Sequence, residues 1–214
     1  MRRPTGWGLA LVAALGVSGA GCEKVAGLAR RTAGSQGSLF EGQAAVAALE
    51  QLRQAAGGPQ LRCLAVTVHS DRAELQFQQT GDPEKADAYR YQRGLVSGPL
   101  PVKLVGAGRL GDDLFPLSEV ELQALPELFA EALRRTALEG GTLQELRIRR
   151  EFSPLSPATR RALQEAARRG AGSRGPVEDF PDGAVVLQLS ISGARRNATV
   201  RADSRGRVVT VKLI

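Results

Sequence analysis

The sequence predicts an α+β fold, with antiparallel sheet(s) carrying helices on one face. Three observations point there. Apolar residues alternate with polar ones at Leu64, Val66 and Val68, at Ala73, Leu75 and Phe77, and again at Val185, Leu187, Leu189 and Ile191, the period of a half-buried strand. Ala45, Leu49, Leu52 and Ala56 recur at spacings of four, three and four, which is one face of a helix. Turns of Ser70-Asp71 and Ser204-Arg205-Gly206 separate successive alternating runs, and turns that short join antiparallel neighbours.

Taken in order, residues 1–21 have the three zones of a secretory signal: basic Arg2 and Arg3, an apolar run of 12 residues from Leu9 to Ala20, and small residues before a cysteine. Crossing a bilayer as a helix takes about 20 residues, so the run reads as an export signal and not a permanent span. Pro4-Thr5-Gly6 does not continue a twin-arginine motif, which points to export of the unfolded chain. Residues 22–39 are rich in Gly, Ala, Ser and charge and read as a tether.

A helix is expected over residues 41–56, stopped by Gly57-Gly58-Pro59. A hairpin follows over residues 61–77, then Tyr89 and Tyr91, then a strand around residues 101–105. Ser118 with Glu121 matches a capping box, opening a helix to Leu138 that Pro126 kinks or splits. Beyond Gly140-Gly141 come strands at residues 143–152 and 185–191 and a closing hairpin over residues 198–214. Between the first two, Ser156 and Pro157 open an inserted helix over residues 156–169, followed by a loose linker.

This order reads as two tandem helix-plus-three-strand units, residues 40–110 and 111–214, the second carrying the insertion. Both end in Val-Lys-Leu, at Val102-Lys103-Leu104 and Val211-Lys212-Leu213. Duplication gives that order, and so does chance recurrence of strands and Gly-Gly stops.

Gly19-Ala20-Gly21-Cys22 resembles the lipobox of bacterial lipoproteins, with Gly19 where that family usually carries a large aliphatic residue. The resemblance implies that Cys22 takes a diacylglycerol and becomes the N-terminus after cleavage. The protein would then be anchored by lipid to a membrane of the bacterial envelope. Glu23 follows the cysteine instead of the Asp that commonly retains lipoproteins at the inner membrane, which favours the outer membrane. The other reading of Cys22 is a bridge to Cys63, the second of two cysteines; with Cys22 lipidated, Cys63 is a buried apolar thiol. More loosely, NATVRADSRGRVVTVKL at residues 197–213 resembles the PepSY-like group of small envelope modules. Those bind or inhibit without catalytic residues.

Charge is uneven. Residues 22–142 balance at −2 and residues 143–214 at +7. Aromatic residues for base stacking are nearly absent from the basic half, where Phe152 and Phe180 are the only ones, so nucleic acid is not an expected partner. Arg147 and Arg149 alternate with Leu146 and Ile148, and Arg201 alternates with Val200 and Ala202. If these strands share a sheet, the three arginines converge on its polar face as a surface for an anionic partner. The competing expectation is that the inserted helix covers that face, or that Glu145 and Glu151 neutralise it.

No catalytic set stands out. His69 is the sole histidine, which removes His-rich zinc sites and leaves one residue for any Ser-His-Asp arrangement, at a strand end where a polar surface role is the ordinary one. Gly106-Ala107-Gly108-Arg109-Leu110-Gly111 matches GxGxxG. Asp112, Asp113 and Pro116 follow it, with no parallel strand, so no dinucleotide cofactor is expected. Asp112-Asp113 also lacks the spaced ligands of a calcium loop. The expectation is a non-catalytic binding module that holds an envelope protein or an anionic glycan. The alternative is a carboxylate-dependent hydrolase of an envelope polymer, using Glu119 with Glu121 or Glu178 with Asp179.

Overall fold

Alternation along most of the strands leaves each with one apolar side, which favours a sheet with a core on one face. The computed structural model describes residues 37–104, 109–152 and 180–214. The signal, the lipobox with Cys22, most of the tether, and the inserted helix expected at residues 156–169 lie outside the described residues. No described helix is long and apolar enough to cross a membrane.

The first half is helix α1 (Ala44–Ala55) followed by strands β1 (Arg62–Val68), β2 (Arg72–Gln78), β3 (Ala86–Gln92) and β4 (Leu95–Val102). A single helical turn, α2 (Leu110–Asp113), and a two-residue strand, β5 (Phe115–Pro116), lead to α3 (Leu125–Thr136). Strands β6 (Thr142–Glu151), β7 (Ala184–Ser192), β8 (Asn197–Ala202) and β9 (Val208–Leu213) complete the fold. The strand order is β4-β3-β2-β1-β6-β7-β8-β9, with β5 paired to the start of β1, and every pairing is antiparallel. Each long helix is therefore followed by a four-stranded meander, one strand more than expected. The sheet runs without a break through the β1–β6 pairing, where Val66 faces Ile148 and Val68 faces Leu146.

Helix α1 ends where its glycines require. Gly58 donates to the Arg53 carbonyl at 2.9 Å and Gly57 to that of Gln54 at 3.4 Å, with φ of 88° and 115°. That is a Schellman stop, readily formed by glycine. The expected helix from Ser118 starts later. Residues Leu117–Glu119 and Leu122–Ala124 are single 3-10 turns, no side chain caps them, and α3 opens at Leu125. Pro126 lies in its first turn, where a missing N–H costs no helical bond. The helix stops at Ala137, in the left-handed region with φ of 46°, before reaching the glycines.

Both long helices contribute to one core. Leu49 and Leu52 of α1, Leu128 and Phe129 of α3, and Leu75, Leu146, Ile148, Leu187 and Leu189 of the sheet form one buried cluster. The expectation of helices on one face holds for α1 and α3. The short α2 departs from it, because Leu110 packs with Leu114 and Ala86 in a separate small cluster, and Ala86 alternates with the core-facing side of β3.

Candidate functional site

The face opposite α1 and α3 carries the side chains that the alternation leaves over. Following the register from edge to edge gives one row of eight residues, Ser97, Arg90, Glu74, Thr67, Arg147, Gln188, Arg201 and Thr210, one from each long strand. None is apolar. Each lies opposite its neighbour across a strand spacing of about 4.8 Å, so the row spans the whole width of the sheet.

Strand pairing brings the three expected arginines together. Arg147 and Arg201 flank Gln188 on β7, about 10 Å apart by strand spacing, and Arg149 is two residues along β6 on the same face. They are also compensated. Arg147 meets Glu145 at 2.8 Å, Arg149 meets Glu151 Oε1 at 3.3 Å, and Glu151 Oε2 holds Arg201. The Arg201 guanidinium also lies 4.7 Å from the centre of the Phe180 ring. Three cations and two carboxylates leave a small positive excess with fixed directions, not a strong cationic field. At the other end of the row Glu74 accepts from Gln76 at 2.9 Å and from Arg90 at 3.0 Å. Burial opposes ionisation of Glu74, but these hydrogen bonds and the charges of Arg90 and Arg72 outweigh it and hold the carboxyl below its ordinary range.

Arg150 is a residue that the sequence reading missed. It follows Leu146 and Ile148 in the core-facing register, and an arginine in that register was the available signal. Its Nε donates to the Leu114 carbonyl at 3.1 Å, Nη1 to the Gly183 carbonyl at 2.5 Å, and Nη2 meets Glu119 at 3.3 Å. It thereby fastens the segment crossing from β4 to α3 onto the start of β7. Phe152 lies past the end of β6 and is about half exposed. With Arg109, Asp112, Asp113, Arg150, Asp182 and Gly183 it lines a shallow hollow of about 580 Å³.

The remaining candidates have ordinary surroundings. His69 Nδ1 lies 3.4 Å from the Gln144 carbonyl oxygen, a contact between the β1–β2 turn and β6. Glu119 holds Arg150, and the Glu121 backbone donates to Ser204; Glu178 and Asp179 lie outside the described residues. Of the GxGxxG stretch, Gly106, Ala107 and Gly108 lie outside the described residues. A helical turn does begin at Leu110, but it ends within four residues, and β5 after it runs antiparallel to β1. Among the described residues, no group of three or more His, Cys, Asp or Glu side chains could hold a metal ion.

Cys63 is fully buried, and burial pushes its thiol up to about 12. Thiolate is the reactive form, so native Cys63 should react with iodoacetamide only as fast as the chain opens; fast labelling at pH 8 would contradict this placement. The thiol is neutral in both states below its ordinary range, whereas between about pH 9 and 12 the unfolded chain ionises first. That group's contribution to stability should therefore fall with rising pH over that interval.

Fold and site together define an α+β protein built on a wide antiparallel sheet with one apolar and one polar face. No family model matches the chain, and no curated protein matches it. Among solved structures, a protein of Clostridium difficile 630 classed as a candidate lipoprotein is similar with a TM-score of 0.44 and 10% identity, over 84% of this chain and 100% of that one. A likeness that slight says nothing of what this chain binds.

Proposed function

We propose that the chain is a lipid-anchored protein of the bacterial envelope, attached through Cys22, and that its folded part is a non-catalytic binding module on the periplasmic face of the outer membrane. The bound partner in this reading is an envelope protein or an anionic glycan. The observation that carries it is the polar row from Ser97 to Thr210, which crosses all eight long strands. Arg147 and Arg201 of that row, and Arg149 beside it on β6, are already held by carboxylates. Side chains fixed before contact lose little further freedom on binding, and a sheet face offers breadth without a deep pocket. The succession of one long helix and four strands, twice over, supports an origin by duplication.

Capture from envelope extracts tests the reading. Wild type should retain a partner at low salt that is lost, or reduced at least tenfold, when Arg147, Arg149 and Arg201 are all changed to Gln, and that raised salt also weakens. An unchanged set of captured molecules would contradict it.

A further inference from the structure

The two outer strands of the sheet are built differently. Strand β4 carries Pro99 and Pro101, and proline has no N–H, so its outer edge lacks donors at both positions and is closed to a further strand. Strand β9 has no proline. Asn197 and Ile214 exchange both backbone bonds, at 3.2 and 2.8 Å. By the antiparallel alternation, Lys212 and Thr210 then exchange bonds with Thr199 and Arg201, while Val211 and Leu213 turn their N–H and C=O groups away from β8. Among the described residues no strand lies beyond β9. A bulge between Arg201 and Ala202 interrupts the ladder near Val208, so the regular edge is residues 210–214.

The side chains on this edge are apolar within a basic surround. Leu213 is 48% exposed and Ile214 70%. Between Gly193 and Ile214 the chain has six basic residues and one acidic residue, Asp203. That carboxylate is already used in the β8–β9 turn, where it accepts from the backbone N–H of Arg205 and of Arg207 and from the Arg207 side chain. Lys212 is exposed in the middle of the edge, and Arg195 and Arg196 are exposed at the turn beside Ile214. A second copy would bring two such basic edges together, and like charges across a strand pair repel.

We propose that the β9 edge takes up an extended, acidic segment of a partner protein as an added strand. Val211 and Leu213 would exchange backbone bonds with it, its apolar side chains would continue the core face beyond Val211 and Leu213, and its carboxylates would meet Lys212 on the other face. This edge is distinct from the Arg147–Arg149–Arg201 cluster, and its test does not depend on that cluster.

The probe is a ten-residue peptide of alternating Val and Glu, titrated against the full chain in detergent and followed by fluorescence anisotropy and by hydrogen exchange of individual amides. Binding should slow exchange at Val211 and Leu213 at least tenfold, and a peptide with Lys in place of Glu should bind at least tenfold more weakly. Val211→Pro removes an outward donor and should abolish binding. Because proline in a strand can disturb folding, Leu213→Glu provides a second variant that keeps every donor; it should weaken binding at least fivefold with an unchanged thermal transition. No binding at millimolar peptide, unchanged exchange at Val211 and Leu213, or equal affinity for the Lys peptide would overturn the proposal. So would a concentration-dependent dimer lost in Val211→Pro, which would make a second copy the occupant.

Discussion

Changing Ile148→Asp is expected to unfold both halves of the sheet at once. Ile148 has no exposure to solvent, faces Val66 of the first meander on one side and Leu187 on the other, and belongs to the core shared by α1 and α3. A carboxylate placed there has no partner, and its burial costs several kcal/mol on top of the lost apolar contact. Native domains are stable by about 5–15 kcal/mol, so one such change removes most or all of that margin. Far-UV circular dichroism and amide exchange should show α1 with β1–β4 and α3 with β6–β9 losing protection together. Retention of native exchange in residues 44–102, with loss confined to residues 125–213, would mean that the two meanders are independent and that the β1–β6 pairing contributes little.

How far the sequence announces this arrangement depends on how regular each local signal is. Strands β2 and β8 keep strict alternation, and the closing hairpin turns at Gly206 with φ of 78°, so their faces could be read directly. In β1 a bulge between Cys63 and Ala65 puts Cys63, not the expected Leu64, in the core with Val66 and Val68, and in β7 Val186 is buried along with Val185 and Leu187. The β3–β4 hairpin is harder. Its two-residue turn is Arg93-Gly94, with φ of 52° and 81°, the geometry usually announced by Asn-Gly. The strand expected around residues 101–105 is β4 at Leu95–Val102 instead; Gly98 and Pro99 hide its first part, because an edge strand tolerates what a central one does not.

The start of α3 was misplaced because Ser118 and Glu121 satisfy a capping-box pattern whose geometry the chain does not adopt; the backbone turns twice through 3-10 segments first. At the polar face, alternation gave the direction of Arg147, Arg149 and Arg201. Their proximity depends on β6, β7 and β8 being neighbours in register, which only the folded sheet specifies. Arg150 shows the converse. Its hydrogen bonds reach residues 36, 33 and 31 positions away along the chain, distances over which no local pattern carries information.

The second large effect is expected at Cys22. One acyl chain gives marginal membrane binding and two or more give stable attachment, so the presence or absence of lipid should decide almost entirely where the protein is found. Expressed in a bacterium that processes lipoproteins, the wild-type chain should partition into detergent and remain with membranes through high-salt washing. Cys22→Ala should move nearly all of the protein to the soluble periplasmic fraction. The most direct measurement is the intact mass and N-terminal peptide of the protein extracted from those membranes. The expected species is a chain that begins at Cys22 and carries a diacylglycerol on its sulfur. A mature chain that begins elsewhere, or one that holds Cys22 as a free thiol or in a disulfide with Cys63, would contradict it.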